Sequence, residues 1–187
     1  MDLFEVITRR RSIRRYKATP VEKEKLLAVL EAARLAPTWE NKQGWRLLVI
    51  TAPEQKERLL AAIPEANPGK KGIASAPVAV VLCAHPGYSG EREGQKYYLV
   101  DCGIALEHLV LAACAQGLGT CWIGVFDEDR IKKDFGIPEP WRVVALTPLG
   151  YPDQDPPPRP RKPLREMVFA GSWGGEIDLL NGEEGTE

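Results

Sequence analysis

Histidine and cysteine are scarce in this chain, at two and four residues in 187. The cysteines, Cys83, Cys102, Cys114 and Cys121, are spaced too widely for a zinc knuckle, and His85 and His108 are too few to complete a metal site. A reduced, cytoplasmic, metal-free protein is expected. Charge of one sign is missing too: 25 basic side chains face 26 acidic ones. Without an overall field the chain has no means of drawing in nucleic acid or an anionic membrane, so neither is expected as a partner and any anion site must be local. The longest apolar stretch, within residues 98–115, is interrupted by Asp101, Glu107 and His108, and MDLFEVITRR at the amino terminus lacks a long apolar run and a small-residue cleavage site. No membrane span or export signal is expected. The nucleotide fingerprints also fail. Gly117 and Gly119 follow a helical pattern instead of a strand, lack a third glycine, and have no acidic ribose ligand at the required distance; no Walker lysine motif occurs. A phosphate bound here would be held by side chains.

What is present reads as one α+β domain. Leu3, Val6 and Ile7 predict a short amphipathic helix whose carboxyl end runs into arginines. Thr19-Pro20-Val21-Glu22 has the form of a capping box, opening a helix with Leu26, Leu27, Leu30 and Ala33 on its apolar face. WRLLVIT (45–51) and PVAVVLCA (77–84) are continuous apolar runs that predict strands inside a covered sheet, with a charged helix between them at about residues 53–62. Tyr97–Gln116 is apolar on nearly every face and must be surrounded, most simply by another subunit. Residues 121–126 read as extended, Asp127 as the cap of a helix ending at Gly136, and 142–151 as a third strand. The proline-rich segment 152–163 is expected to run extended as an arm, followed by a loose acidic tail, EIDLLNGEEGTE. The domain is expected to span 1–168, with 152–168 as the arm and 169–187 as the tail.

RRRSIRRY (9–16) holds five arginines in eight positions. Two readings compete. Arg10, Arg11, Ser12 and Arg14 supply the forked donors of a phosphate clamp, each charge-assisted bond being worth about 1.5–3 kcal/mol; the same cations also suit a helix carboxyl terminus, at about 0.3–1 kcal/mol each. A second basic patch, Arg159, Arg161, Lys162 and Arg165, lies on a stiff arm able to deliver it to the same anion. Pro37, Thr38, Trp39, Asn41 and Gln43 form a polar, aromatic turn leading into a buried strand, where a planar heterocycle is edged by hydrogen bonds or tryptophans plug the gap between helix and sheet. Trp45 reads as a plug; Trp39 suits either role. GTCWIGVFD (119–127) lets backbone approach a flat ligand closely. The loop 84–98 is the candidate gate for substrate access, against the plainer reading of a surface loop.

Taken in order, RRRSIRRY, APTWENKQGW (36–45), GLGTCWIGVFD (117–127) and PLGYPDQDPPPRPRKPL (148–164) resemble the nitroreductase family of FMN-dependent oxidoreductases over residues 1–168. The resemblance implies an α+β homodimer: a mixed sheet wrapped by helices, carboxyl-terminal arms exchanged between subunits, and FMN at the interface. It places Arg10, Arg11 and Ser12 on the FMN phosphate and ribityl chain and Arg14 by the pyrimidine end. Pro37, Thr38, Trp39 and Asn41 come from the opposite subunit, the Gly124 N–H faces flavin N5, and Arg159 and Arg161 return on the arm to the phosphate. It implies hydride transfer from NAD(P)H in ping-pong turnover to a nitroaromatic, quinone or similar small-molecule electron acceptor, with no catalytic side chain. Same-fold alternatives are a dehalogenation, ene reduction or biosynthetic oxidation, or a flavin-binding module of low turnover.

Overall fold

The computed structural model describes residues 1–177, in which the chain runs α1 (Leu3–Arg9), α2 (Lys23–Arg34), β1 (Trp45–Ile50), α3 (Pro53–Ala61), α4 (Lys70–Ser75), β2 (Val78–Ala84), β3 (Glu91–Arg92), β4 (Gln95–Lys96), α5 (Tyr97–Ala115), β5 (Gly119–Thr120), α6 (Glu128–Phe135) and β6 (Arg142–Gly150). Most of the expected acidic tail, residues 178–187, lies outside the described residues. The chain forms two compact units, Met1–Pro156 and the segment from Pro157 onward.

The main sheet has the order β1-β2-β6-β5 with every pair antiparallel; its parallel component is a single bridge, Ser12 to Thr120. All seven residues of β2 are buried, because successive side chains leave opposite faces of a strand and both faces are covered. Val78, Val80, Leu82 and Ala84 pack with Val29 and Ala33 of α2 and with Leu106 and Leu109 of α5. Ala79, Val81 and Cys83 pack on the other side with Leu59 of α3, Ile73 of α4 and Ile131 of α6. Burial raises the thiol pKa of Cys83, with Glu128 adding to it, and that of Cys102, with Asp101 and Cys83 adding, each to about 12. Both thiols therefore behave as small apolar core groups.

Three expectations are revised. β1 is the edge strand, with only Ile50 fully buried and Val49 37% exposed; a continuous apolar run does not separate an edge from a centre. α2 begins at Lys23 with no side-chain cap, and Thr19 plays no part. Its start is fixed by tertiary contacts instead: the Tyr151 hydroxyl donates to the Glu22 carboxylate at 2.6 Å and accepts from Lys25 Nζ at 2.6 Å. In α1 only Val6 is buried, while Leu3 and Ile7 stay exposed.

α5 behaves as half of the all-round apolar helix expected. Tyr98, Asp101, Cys102, Ala105, Leu106, Leu109, Val110 and Ala113 face the core, whereas Leu99 and Val100 on the other side are 47% and 51% exposed.

α6 matches the expected caps: Asp127 accepts from Arg130 N–H at 3.0 Å, and Gly136 closes the helix at φ 64°. Glu128, in the first turn, accepts both Nε and Nη2 of Arg142 at 2.8 Å and the Val143 N–H at 2.9 Å, tying α6 to β6. The Arg142 guanidinium holds the Glu128 carboxyl below its ordinary value of 4.5, against the opposing effect of burial. A depressed folded pKa contributes stability above the unfolded value and loses it as pH falls. Thermal melts of Glu128→Gln are therefore expected to lie about 3 °C below wild type at pH 7, with the gap closing as pH drops below about 4.5.

Candidate functional site

The five arginines divide by what holds them. Arg9 pairs with Glu5 at 2.9 Å across one helical turn. Arg11 donates to the carbonyls of Thr8 and Arg10 at 2.6 and 2.8 Å, closing the carboxyl end of α1. Arg15 donates twice to the Asp153 carbonyl at 2.8 and 2.6 Å, and the Asp153 N–H returns a bond to the Arg15 carbonyl. These three serve the fold. The side chains of Arg10 and Arg14 make no hydrogen bond or ion pair among the described residues, and Arg14 Nε is buried without an acceptor. Buried donors are normally satisfied, so this orphan calls for a partner from outside the chain.

The split follows from the backbone. After α1 the chain turns extended at Arg10 (φ −55°, ψ 131°), and along an extended chain every second side chain shares a side. Arg10, Ser12 and Arg14 fall into one row. Burial raises the Cys121 thiol against the lowering pull of Arg14, the Ser12 hydroxyl and Arg10, so all three converge on one neighbour. A cavity of about 410 Å³ lies beside the segment, lined by Arg10, Arg11, Ile13, Lys17 and Tyr151.

Residues that the sequence did not single out hold the row in place. The Ile13 N–H donates to the Thr120 carbonyl at 2.8 Å, and the Tyr16 hydroxyl to the Ile13 carbonyl at 2.6 Å. Gly119 permits this approach, since a Cβ there would meet Ile13 Cγ1 at 2.7 Å. Burial drives the Tyr16 phenol pKa well above its usual value, with Cys121 adding to it, so the hydroxyl stays a donor. The glycine between two core segments was the one available signal for this contact. Thr147 Oγ1 accepts the Cys121 N–H at 3.1 Å and directs the chain outward. Beyond it the exposed Trp122 and Gly124 alternate with the buried Cys121 and Ile123, and a Cβ on Gly124 would meet nothing within 4 Å. Asn67 supports this strip by donating to the Val125 carbonyl at 3.0 Å.

The turn Pro37–Gln43 lies elsewhere. The Trp39 N–H donates to Asp101 near the start of α5, and the Trp39 ring packs 4.6 Å from that of Tyr97. Here Trp39 is a plug between turn and helix, leaving Pro37 and Asn41 exposed and Thr38 half-buried. The start of the row, Arg10, follows α1, which touches the last turn of α5 where Cys114 Sγ donates to the Val6 carbonyl at 3.7 Å; the Cys114 thiol pKa is raised by burial and lowered by Arg10, Arg9 and Arg11. Thirteen residues of helix between Asp101 and Cys114 span about 20 Å, so one chain does not bring the turn and the row together. Arg159 and Arg161 belong to the second unit, in which Arg161 Nη1 donates to the Arg159 carbonyl at 3.0 Å.

An antiparallel sheet covered by helices on both faces, with a cationic segment laid beside β5, defines an α+β protein with an exposed polar edge. The chain belongs to the nitroreductase family, whose profile matches residues 7–151. It is similar to the NADH dehydrogenase of Thermus thermophilus, 34% identical over 200 aligned positions covering 90% of this chain and 96% of that one. A solved nitroreductase family protein from Clostridium novyi NT shares 36% identity at a TM-score of 0.79, covering 95% of this chain and 97% of that chain. An FMN-dependent nitroreductase from Clostridium difficile R20291 matches at 28% identity and a TM-score of 0.72, covering 82% and 89%.

Proposed function

We propose that this protein is a cytoplasmic, homodimeric FMN-dependent oxidoreductase that takes hydride from NADH or NADPH and reduces nitroaromatics, quinones or similar small acceptors. The observation that carries the reading is the row Arg10–Ser12–Arg14, in which a buried guanidinium nitrogen lacks an acceptor. A phosphorylated flavin fits it. Arg10 and Ser12 offer charge-assisted and neutral donors to phosphate and ribityl oxygens, Arg11 adds charge from the helix end, and Arg14 offers its unsatisfied donor to a carbonyl or ring nitrogen. Held by these residues, FMN would supply the hydride chemistry that links nicotinamide to acceptor in ping-pong turnover.

The chain's residues bind, orient and shield. Arg14 places positive charge where negative charge develops on the reduced ring. The exposed backbone at Gly124 presents an N–H with no side chain in the way, which would leave a bound flavin accessible to nicotinamide and acceptor in turn. Arg159 and Arg161, on an arm exchanged between subunits, complete the phosphate shell. Pro37, Thr38, Trp39 and Asn41 serve the partner's flavin: the separation of about 20 Å along α5 puts them out of reach of their own chain's row, and a second copy packed against Leu99 and Val100 supplies the missing half.

The purified protein is expected to carry or take up FMN, to display the flavin absorption bands, and to bleach on anaerobic mixing with NADH or NADPH in a stopped-flow cell. A colourless protein that refuses FMN, or a flavin that neither nucleotide bleaches, overturns the reading.

A further inference from the structure

Asp101 is 5% exposed on α5, and its two oxygens are used by two different loops. Oδ1 accepts the Trp39 N–H at 2.9 Å; Oδ2 accepts the Ser89 hydroxyl at 2.5 Å. The same two loops interlock beside it. The Trp39 ring occupies the space above Gly90, where a Cβ would meet Trp39 Cε2 at 2.5 Å, and the Tyr97 N–H donates to the Gly90 carbonyl at 3.1 Å.

The turn held in this way is a strained one. Glu40, Asn41 and Gln43 have φ values of 45°, 56° and 50°, in the left-handed region that side chains other than glycine disfavour. Within the turn two side-chain bonds stabilise that path, from the Gln43 N–H to Thr38 Oγ1 at 3.0 Å and from Gln43 Nε2 to the Asn41 carbonyl at 3.3 Å. Strained backbone persists where surrounding contacts over-determine it, and two rigid elements reach this turn: α5, through Asp101 to the Trp39 N–H, and β1, through Arg46 Nη1 to the Gln43 carbonyl at 2.9 Å. The far end of the same helix packs on α1, where Cys114 Sγ donates to the Val6 carbonyl at 3.7 Å, and Arg10 directly follows α1, so α5 is a spacer between the Trp39 turn and the start of the arginine row.

We propose that Asp101 is a positioning residue, locking the Trp39–Gln43 turn and the 85–97 loop to α5 and so setting the wall that each chain lends to its partner's flavin pocket. The assignment rests on the flavin reading above. It also changes the expected gate: the 84–98 loop is fastened at Ser89 and Gly90, and the tip between β3 and β4 is its exposed part.

The test uses the full-length protein and three substitutions. Asp101→Leu removes both acceptors at similar volume. Asp101→Asn keeps a carbonyl for the Trp39 N–H and offers an amide to the Ser89 hydroxyl oxygen. Ser89→Ala removes one donor and leaves the helix untouched. FMN dissociation constants, the visible circular dichroism of the bound flavin and sedimentation are measured for each. Asp101→Leu is expected to weaken FMN about tenfold and alter the flavin dichroism in a protein that still sediments as a dimer, Ser89→Ala to lie between it and wild type, and Asp101→Asn to stay within about threefold of wild type. If Asp101→Leu fails to fold, the other two variants decide. Wild-type dichroism and affinity in Ser89→Ala and Asp101→Leu overturn the assignment, and an Asp101→Asn variant as damaged as Asp101→Leu replaces positioning by charge and overturns it equally. Wild-type protein that takes up no FMN overturns the flavin reading itself, a separate and visible failure.

Discussion

Replacing Arg10 and Arg161 together by alanine is expected to raise the FMN dissociation constant at least about a hundredfold, since each lost charge-assisted contact is worth about 1.5–3 kcal/mol and 1.4 kcal/mol is a factor of ten. Neither guanidinium is tied up in an ion pair among the described residues; Arg161 makes only carbonyl contacts within its own arm, to Arg159 and Pro160 at 3.0 and 3.3 Å. Both are therefore available to a dianion. The matched control is Arg58→Ala with Lys133→Ala, which removes the same charge from exposed helical positions on α3 and α6. Lys56 does not serve as a control because its Nζ donates to the Ala76 carbonyl at 2.8 Å. Fluorescence titration of apoprotein with FMN distinguishes the pairs. Equal losses would mean that bulk charge, and not a clamp, governs binding.

Val100→Asp is expected to produce a folded monomer that no longer holds FMN. Val100 is 51% exposed in the single chain and adjoins Leu99 on the uncovered side of α5, so an aspartate there costs the isolated subunit little. In a two-fold interface the same substitution buries two carboxylates, at several kcal/mol each. Loss of FMN follows because the row and the turn sit at opposite ends of one helix. Sedimentation velocity and flavin absorbance report the two consequences independently. A monomer that retains FMN at wild-type affinity would show that one chain suffices for the pocket.

Legibility in the sequence follows the range of the forces involved. β2, α5 and α6 were readable because local signals fixed them: a seven-residue apolar run, a helix-long apolar stretch, and an Asp127 cap balanced by Gly136. The start of α2 was misread because Thr19 offers a plausible cap, and what overrides it is Tyr151, 129 residues from Glu22. The arginine cluster was located but not resolved. Its division into structural and available members depends on the chain leaving α1 extended at Arg10, which a run of arginines does not encode. The turn after α2 was recognised as polar and aromatic; its backbone path was invisible, because Glu40 and Gln43 are residues that seldom adopt φ above zero. Asp101 stands out in the sequence only as a break in an apolar run, and composition gives no hint that its partners come from two loops.

β1 has one further consequence for the molecule. Among the described residues it pairs on one side only, with β2, so its outer backbone donors and acceptors form a ready seam beside Trp45, Leu47 and Val49. Such a seam recruits foreign strands and seeds aggregation unless a charge interrupts it. Arg46 stands second in the strand, braced by the carbonyls of Gln43 and Trp45 and lying 5.4 Å from the Trp141 ring. Any strand stacking onto that seam would have to accommodate this guanidinium, which makes Arg46 a guard against edge-to-edge association at this margin.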